Sequence, residues 1–474
     1  MATTAADQRA GAASDFAARA RRIRATGIQP MTEAGGMRWQ VPGIMLLLAF
    51  WEGFPFSTMG MPMVFGYQLF AAIVFASMFY YIARLLRGTL LLQAWDGVAI
   101  LAFLWCFIVS FHYSVFIQPQ PVFGWLPAIF STTPLLLICV LKAIGARRRD
   151  AEDALFWTGL LGTLLIIFDL TTHLGFLDVY ARGSSFSEGR IVLFKWPTVF
   201  AVVIGALRAT TARGLGRRFM YGLATMLLLY NVIMLAESRL AMLALALAAL
   251  PIYIFCLRGT TRIVTGVAIP ILAVPLIFFV IDRFFADFTG VADYLRNDVS
   301  ASFRNWEIEY FGRAFNGTYG MGFGFMSGDP QYDNVLNFLH YKAGYLVGTG
   351  TYGMELVDIT IYAALYQYGY VGLAIVILMT LMMGYVLADS WRLGRDYRAA
   401  SACGFLALFY HVSPLPMNFF TIFATSHVGA LLWFMASRIA VESRQEAMNS
   451  FAAAETTEEI VETPVGRVTG RAGT

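Results

Sequence analysis

Charge is what this chain has least of. Only 14% of its 474 residues are Asp, Glu, Lys or Arg, against 58% hydrophobic, where an average soluble domain is about 25% charged and about 45–50% apolar. So few charges cannot cover a water-soluble body of this length, which excludes a cytosolic enzyme and a disordered protein. Cysteine is almost as scarce. Cys106, Cys139, Cys256 and Cys403 stand singly inside apolar runs, without metal-ligand spacing or the density of a secreted disulfide scaffold. They read as lipid-facing or core thiols. There is no His cluster, no cysteine pair and no external Asp-x-Asp, so no metal site is expected. A net charge of +4 is too mild to point to nucleic acid. Strict alternation of apolar and polar residues is missing as well, which excludes a transmembrane β-barrel.

What is there is a series of continuous apolar runs. The expected fold is all-α: a polytopic transmembrane helical protein with about twelve spans of roughly 20 residues each. Residues 1–40 form a basic segment with Arg21, Arg22, Arg24 and Arg38 and no apolar stretch near Met1, so no cleavable signal peptide is expected. Residues 41–283 hold spans one to nine, residues 284–357 one large loop, and residues 358–440 spans ten to twelve. The polar tail 441–474 is expected to be disordered. Glu52 and Pro55 interrupt the first span, and the eleventh is short and ends at Pro414.

Orientation follows from Lys and Arg placement. Every second connection is basic, among them those with Arg84 and Arg87, Lys142 and Arg147–Arg149, and Arg392, Arg395 and Arg398. The intervening connections near 57–62 and 114–121 carry no Lys or Arg. Both termini are therefore expected in the cytoplasm and the large loop outside.

Cations on the outer side then need a reason. Arg239 follows Glu237-Ser238, the only sharp polar break in the apolar stretch 219–257; it is a snorkelling turn residue or an anion receptor. Arg190 and Lys195 precede Pro197 and are interfacial anchors beside Trp196 or ligand contacts. Asp169, Thr172 and His173 share a helix face by spacing, and an acid within a span is a functional candidate by default. In the large loop, Phe303-Arg304-Asn305-Trp306 precedes Gly320-Met-Gly322-Phe-Gly324. Alternating glycines allow backbone to approach a ligand closely, or simply make a turn. The loop's many aromatics suit stacking on sugar rings or a place at the membrane interface.

Taken in order, Ser238-Arg239-Leu240, Phe303-Arg304-Asn305-Trp306 with the glycine run, and Asp358-Ile-Thr-Ile-Tyr-Ala-Ala-Leu365-Tyr-Gln-Tyr-Gly369-Tyr-Val-Gly372 resemble the O-antigen ligase and Wzy-type polysaccharide polymerase superfamily. The resemblance covers roughly 190–373. It implies a GT-C-like, metal-independent membrane glycosyltransferase with one large periplasmic loop, acting at the periplasmic face of a bacterial inner membrane without a cofactor. Donor and acceptor would be oligosaccharides on undecaprenyl diphosphate, lengthened into exopolysaccharide, capsule or O-antigen. Membrane lipid, a chain-length regulator and export machinery would be its partners. Ligases carry His where this chain has Asp358, and the usual following Asn is Ile359 here, which favours a polymerase over a ligase with a lipid A core acceptor.

The chemistry fits those residues. A departing diphosphate needs cationic stabilisation, for which Arg is suited; Arg239 and Arg304 are the first candidates, Arg190 and Lys195 the second. An acceptor hydroxyl needs a base: Asp358, with Glu237 and Asp169 as rivals. Gly320, Gly322, Gly324 and Trp306 are expected to line the substrate. A lipid-oligosaccharide flippase or transporter is the alternative from another class; it would place charges near the bilayer midplane on broken helices.

Overall fold

The computed structural model describes residues 38–59, 64–117, 130–173, 193–235, 311–324, 361–393, 395–412 and 427–462, with isolated residues between. Every regular element among them is helical, and no strand occurs. Five segments, Phe65–Leu86, Ala94–Ile117, Arg148–Thr172, Leu215–Leu235 and Ala364–Trp391, are long and apolar enough to cross a membrane. The chain is an all-α, multi-spanning membrane protein. Its second helix shows the expected two-sidedness: Phe70, Val74 and Tyr81 are buried, while Phe65, Leu69 and Phe79 face outward. An apolar outer surface is what lipid requires.

The helices are α1 (Gln40–Trp51), α2 (Val64–Leu86), α3 (Ala94–His112), α4 (Leu137–Ala143), α5 (Arg148–Thr172), α6 (Lys195–Thr211), α7 (Leu215–Tyr230), α8 (Ile361–Leu393), α9 (Arg398–Val412) and α10 (His427–Glu462). Capping boxes start two of them. Asp96 accepts from the Gln93 N–H at the head of α3, and Asp150 accepts from the Arg147 N–H at the head of α5. Such reciprocal caps satisfy amides that helix starts leave free. α6 packs between α5 and α7, α1 lies on α5, and α8 packs against α3, α9 and α10. Gly159 of α5 permits a close approach to α6: a Cβ there would sit 2.7 Å from the Ala201 Cβ and 2.9 Å from the Pro197 carbonyl. Small residues at helix crossings are the usual device in membranes, where packing rather than water exclusion drives association.

One end of the bundle collects the charges. Here α1, α3, α5 and α9 begin and α2, α4 and α6 end. Arg84 donates to the Ala143 carbonyl at 2.6 Å, and Arg38 pairs with Asp150 at 2.8 Å. Lys142 meets Asp96 at 2.5 Å. Arg148 bridges Glu152 and, at 3.4 Å, Glu442 of α10; Arg208 pairs with Asp153. The Tyr397 hydroxyl donates to Glu446 at 2.6 Å. Outside the bilayer segments burial lifts the Glu442 carboxyl above the usual carboxylate range, against the pull of Arg148 and Arg438.

Three features depart from the sequence reading. α1 stops at Trp51, short of the expected end near 57, because Glu52 and Gly53 break the apolar run and a 3-10 turn over Phe56–Met59 follows. α3 and α7 finish in π turns, Tyr113–Ile117 and Asn231–Leu235, a form often found at functional positions. The polar stretch from 441, expected to be disordered, continues α10 as far as Glu462; it is rich in Ala and Glu, which are strong helix formers. The eighth and ninth expected spans, 239–257 and 263–283, lie outside the described elements. Cys106, Cys139 and Cys403 are buried thiols.

Candidate functional site

Two polar or backbone-rich assemblies lie away from the charged end. The first joins the glycine run to α8. Gly369 breaks the helical geometry of α8 with φ +71° and ψ −172°, which turns carbonyls at Tyr366 and Gln367 out of the helix ladder. The Phe323 N–H donates to the Tyr366 carbonyl at 2.9 Å, the Gly324 N–H to that of Gln367 at 2.7 Å, and the Tyr370 N–H to that of Gly320 at 3.1 Å. The Trp105 indole of α3 takes the Tyr368 carbonyl at 2.7 Å. Buried backbone groups freed by a kink are thereby satisfied.

Gly320, Gly322 and Gly324 all have positive φ. Gly322, at φ +91°, shows why glycine is needed: a Cβ would lie 2.7 Å from the Gln367 carbonyl oxygen and from the Gly369 nitrogen. The backbone these glycines approach is the chain's own. The aromatics beside them form a packed cluster. Phe311, Phe315 and Phe323 are buried, Phe323 meets Tyr113 edge-on at 5.5 Å, and Phe315 meets Tyr366 and Tyr370 at 5.6 Å.

The second assembly is where α1, α6 and α10 have their ends opposite the charged layer. Glu52 follows α1, Lys195 opens α6 and His427 opens α10. Counted along the three helices from Gln40, Arg208 and Arg438, these residues stand about 16–20 Å from the charged end at 1.5 Å per residue. That is a little more than half the roughly 30 Å thickness of a hydrocarbon core. Glu52 Oε1 is 3.4 Å from His427 Nε2, and Glu52 Oε2 accepts the Phe194 N–H at 3.3 Å. Phe194 holds φ +55° to present that N–H at the start of α6, where a carboxylate also complements the helix dipole. The Trp51 ring flanks both His427, at 5.8 Å, and Tyr67, at 5.0 Å.

Of the residues singled out from sequence, Lys195 opens α6 directly after Phe194. Its ammonium lies 5.1 Å from the centre of the Trp196 ring, within cation–π range. Asp169 is buried near the far end of α5, while Thr172 and His173 are exposed. The Thr172 hydroxyl returns to the Phe168 carbonyl at 2.8 Å, and His173 leaves the helix with φ +54°. The face expected to carry all three is therefore divided. Arg190, Glu237, Arg239, Arg304, Trp306 and Asp358 lie outside the described residues. No group of three or more His, Cys, Asp or Glu suited to a metal occurs among the described residues.

Glu52 and His427 are the pair that sequence reasoning missed. The available signal was an acid inside the first apolar run and a histidine inside the last. Glu52 was read only as a break in a span, and no local pattern links it to His427. Compared with known proteins, the chain matches no family model and no curated protein.

Proposed function

We propose that this chain is a polysaccharide polymerase of the bacterial inner membrane. It has about twelve spans, a GT-C-like arrangement, cytoplasmic termini and a large periplasmic loop. It transfers an oligosaccharide from one undecaprenyl diphosphate carrier to the repeat unit on another. An acceptor hydroxyl oxygen attacks the anomeric carbon of the donor sugar, and the bond from that carbon to the diphosphate breaks. The diphosphate leaves with the electron pair. Arg239 and Arg304 stabilise that leaving group by bidentate contacts, and Asp358 is the first candidate for the proton acceptor.

The observation that carries the reading is the hydrogen-bonded union of the glycine run, at Gly320–Gly324, with the Gly369 kink. Two of the three segments that resemble the superfamily, far apart in sequence, meet backbone to backbone. That union supports a single site to which Arg304, before the glycines, and Asp358, before the kink, both belong.

A second reading is a lipid-oligosaccharide flippase or transporter. What favours it is the meeting of Glu52 and His427 at the ends of two helices inside the bundle, since such carriers place charges where helices end within the membrane.

Deleting the protein separates these readings by the lipid-linked species that accumulates. Single repeat units on the outer leaflet are the expected result. Long uncapped polymer would make the chain a ligase, and units held on the inner leaflet would make it a flippase. Restoring Arg239→Ala or Arg304→Ala should leave single units accumulated at normal membrane levels of protein. Lysine at either position should recover little, since a point charge lacks the guanidinium fork. Normal polymer from both lysine variants would reduce the clamp to bulk electrostatics.

A further inference from the structure

The Glu52–His427 pair has the construction of an oriented base. His427 is 2% exposed. Neither of its ring nitrogens makes a hydrogen bond among the described residues, although buried polar atoms are nearly always bonded. Nε2 faces the Glu52 carboxylate at 3.4 Å, and Nδ1 has no partner among the described residues. A carboxylate that closes to hydrogen-bond distance of one ring nitrogen fixes the proton there and leaves the other lone pair free to accept. Glu52 is itself held from the other side by the Phe194 N–H. The next residue is Lys195, whose ammonium is the described candidate for an anionic substrate group. Leaving a buried imidazole half-bonded costs stability, and the surrounding helices place it within the membrane, where ionisable groups are expensive and mark functional pathways.

We propose that His427 Nδ1 accepts the proton of the attacking acceptor hydroxyl, with Glu52 as the residue that positions the imidazole; this rests on the glycosyl-transfer reading above. In the step, the acceptor oxygen forms its bond to the anomeric carbon as its proton passes to Nδ1. The donor diphosphate departs with its electron pair, and the imidazolium returns its proton to water after product leaves. His427 is then a catalytic residue and Asp358 is left to bind or cap. Beside the pair stands Tyr67 of α2, which feels the Glu52 charge. A purely structural pair, anchoring α10 and the start of α6, is the competing account.

The test uses full-length protein in liposomes with lipid-linked repeat units extracted from cells lacking it, following polymer formation against the concentration of units. His427→Gln should bind the units, keep its thermal midpoint and lose about 10²–10⁴-fold in rate, the range for removal of a general base. Glu52→Gln keeps an oxygen for the Phe194 N–H but not the charge that faces Nε2. Its kcat should fall while its KM for the units stays at the wild-type value. Wild-type kcat in either folded variant would overturn the dyad and leave the polymerase reading intact. Should Glu52→Gln fail to fold, His427→Gln decides alone, from a different helix. Wild-type protein that makes no polymer from these units would overturn the transfer reading and the proposal with it.

Discussion

The two ends of α10 show opposite ways of placing charge in a membrane protein. Near Arg438 and Glu442 the charges come in a dense network in which most groups have several partners. Asp96, fully buried, receives the Lys142 ammonium at 2.5 Å, the Tyr81 hydroxyl at 3.2 Å and the Gln93 N–H at 3.1 Å. Lys142 also donates to the Gln93 side chain at 2.6 Å. At the other end His427 has one ion-pair contact and, among the described residues, no hydrogen bond on either ring nitrogen. Saturated polar networks rigidify and specify packing. The charged end is not wholly saturated, because the Arg398 and Arg438 Nε atoms are also buried without a hydrogen-bond partner among the described residues. The contrast is therefore one of degree: interlocking pairs at one end, a single facing carboxylate at the other.

The largest effect that sharpens this contrast is at Asp96. Asp96→Ala leaves a buried Lys142 with only an amide partner, and breaking such a pair from one side costs about 3–5 kcal/mol. The expected outcome is a steep loss of folded protein in membranes and a lowered thermal midpoint in detergent. Asp96→Ala combined with Lys142→Met should recover much of it, since removing both charges together is often neutral. A single variant as stable as wild type would show that this end is not held by its ion pairs.

Gly322→Ala comes next. The side chain would meet the Gln367 carbonyl at 2.7 Å in a backbone conformation of φ +91° that L-residues avoid, a local penalty on the order of 1–3 kcal/mol. The bundle should still form, because the charged end and the helix crossings are untouched. The glycine segment should separate from α8, read as new protease cleavage within 317–324 and loss of polymer. Unchanged protease resistance would mean the segment tolerates the shift.

Much of this architecture was legible in the sequence. Long apolar runs predict helices, and α2, α5, α8 and α9 lie close to the expected spans because hydropathy and helix punctuation agree there. The charged end was legible as composition: Lys142 and Arg148 were read as loop cations. That both are buried and paired was not, since Asp96 and Glu442, which meet Lys142 and Arg148, come from other parts of the chain. The glycine run was recognised as a place of close backbone approach, but what it approaches depends on a kink that Gly369 alone does not announce. Glu52 shows the limit most clearly. A single acid among apolar residues reads equally as a helix break or as a buried anion, and only its neighbours in space, Phe194 and His427, distinguish them.

The smallest effect is expected at Glu442, and its sign tests whether burial or pairing governs the charged end. Burial raises its carboxyl above the ordinary range more than Arg148 and Arg438 lower it. Between the unfolded value, about 4.3 for Glu, and the raised folded one, the folded state holds a proton that the unfolded chain has released. Stability therefore falls as pH rises through that window, and above the folded value the loss is complete. Glu442→Gln cannot titrate, keeps an oxygen for the Arg148 guanidinium, and leaves Arg148 its second partner, Glu152. Thermal midpoints of the two proteins measured from pH 4 upward should therefore diverge, the wild type losing ground to the variant until the window is passed. A wild type that instead gains on the variant with rising pH would put the folded carboxyl below its ordinary range. The arginines, not burial, would then set the electrostatics of this end of α10.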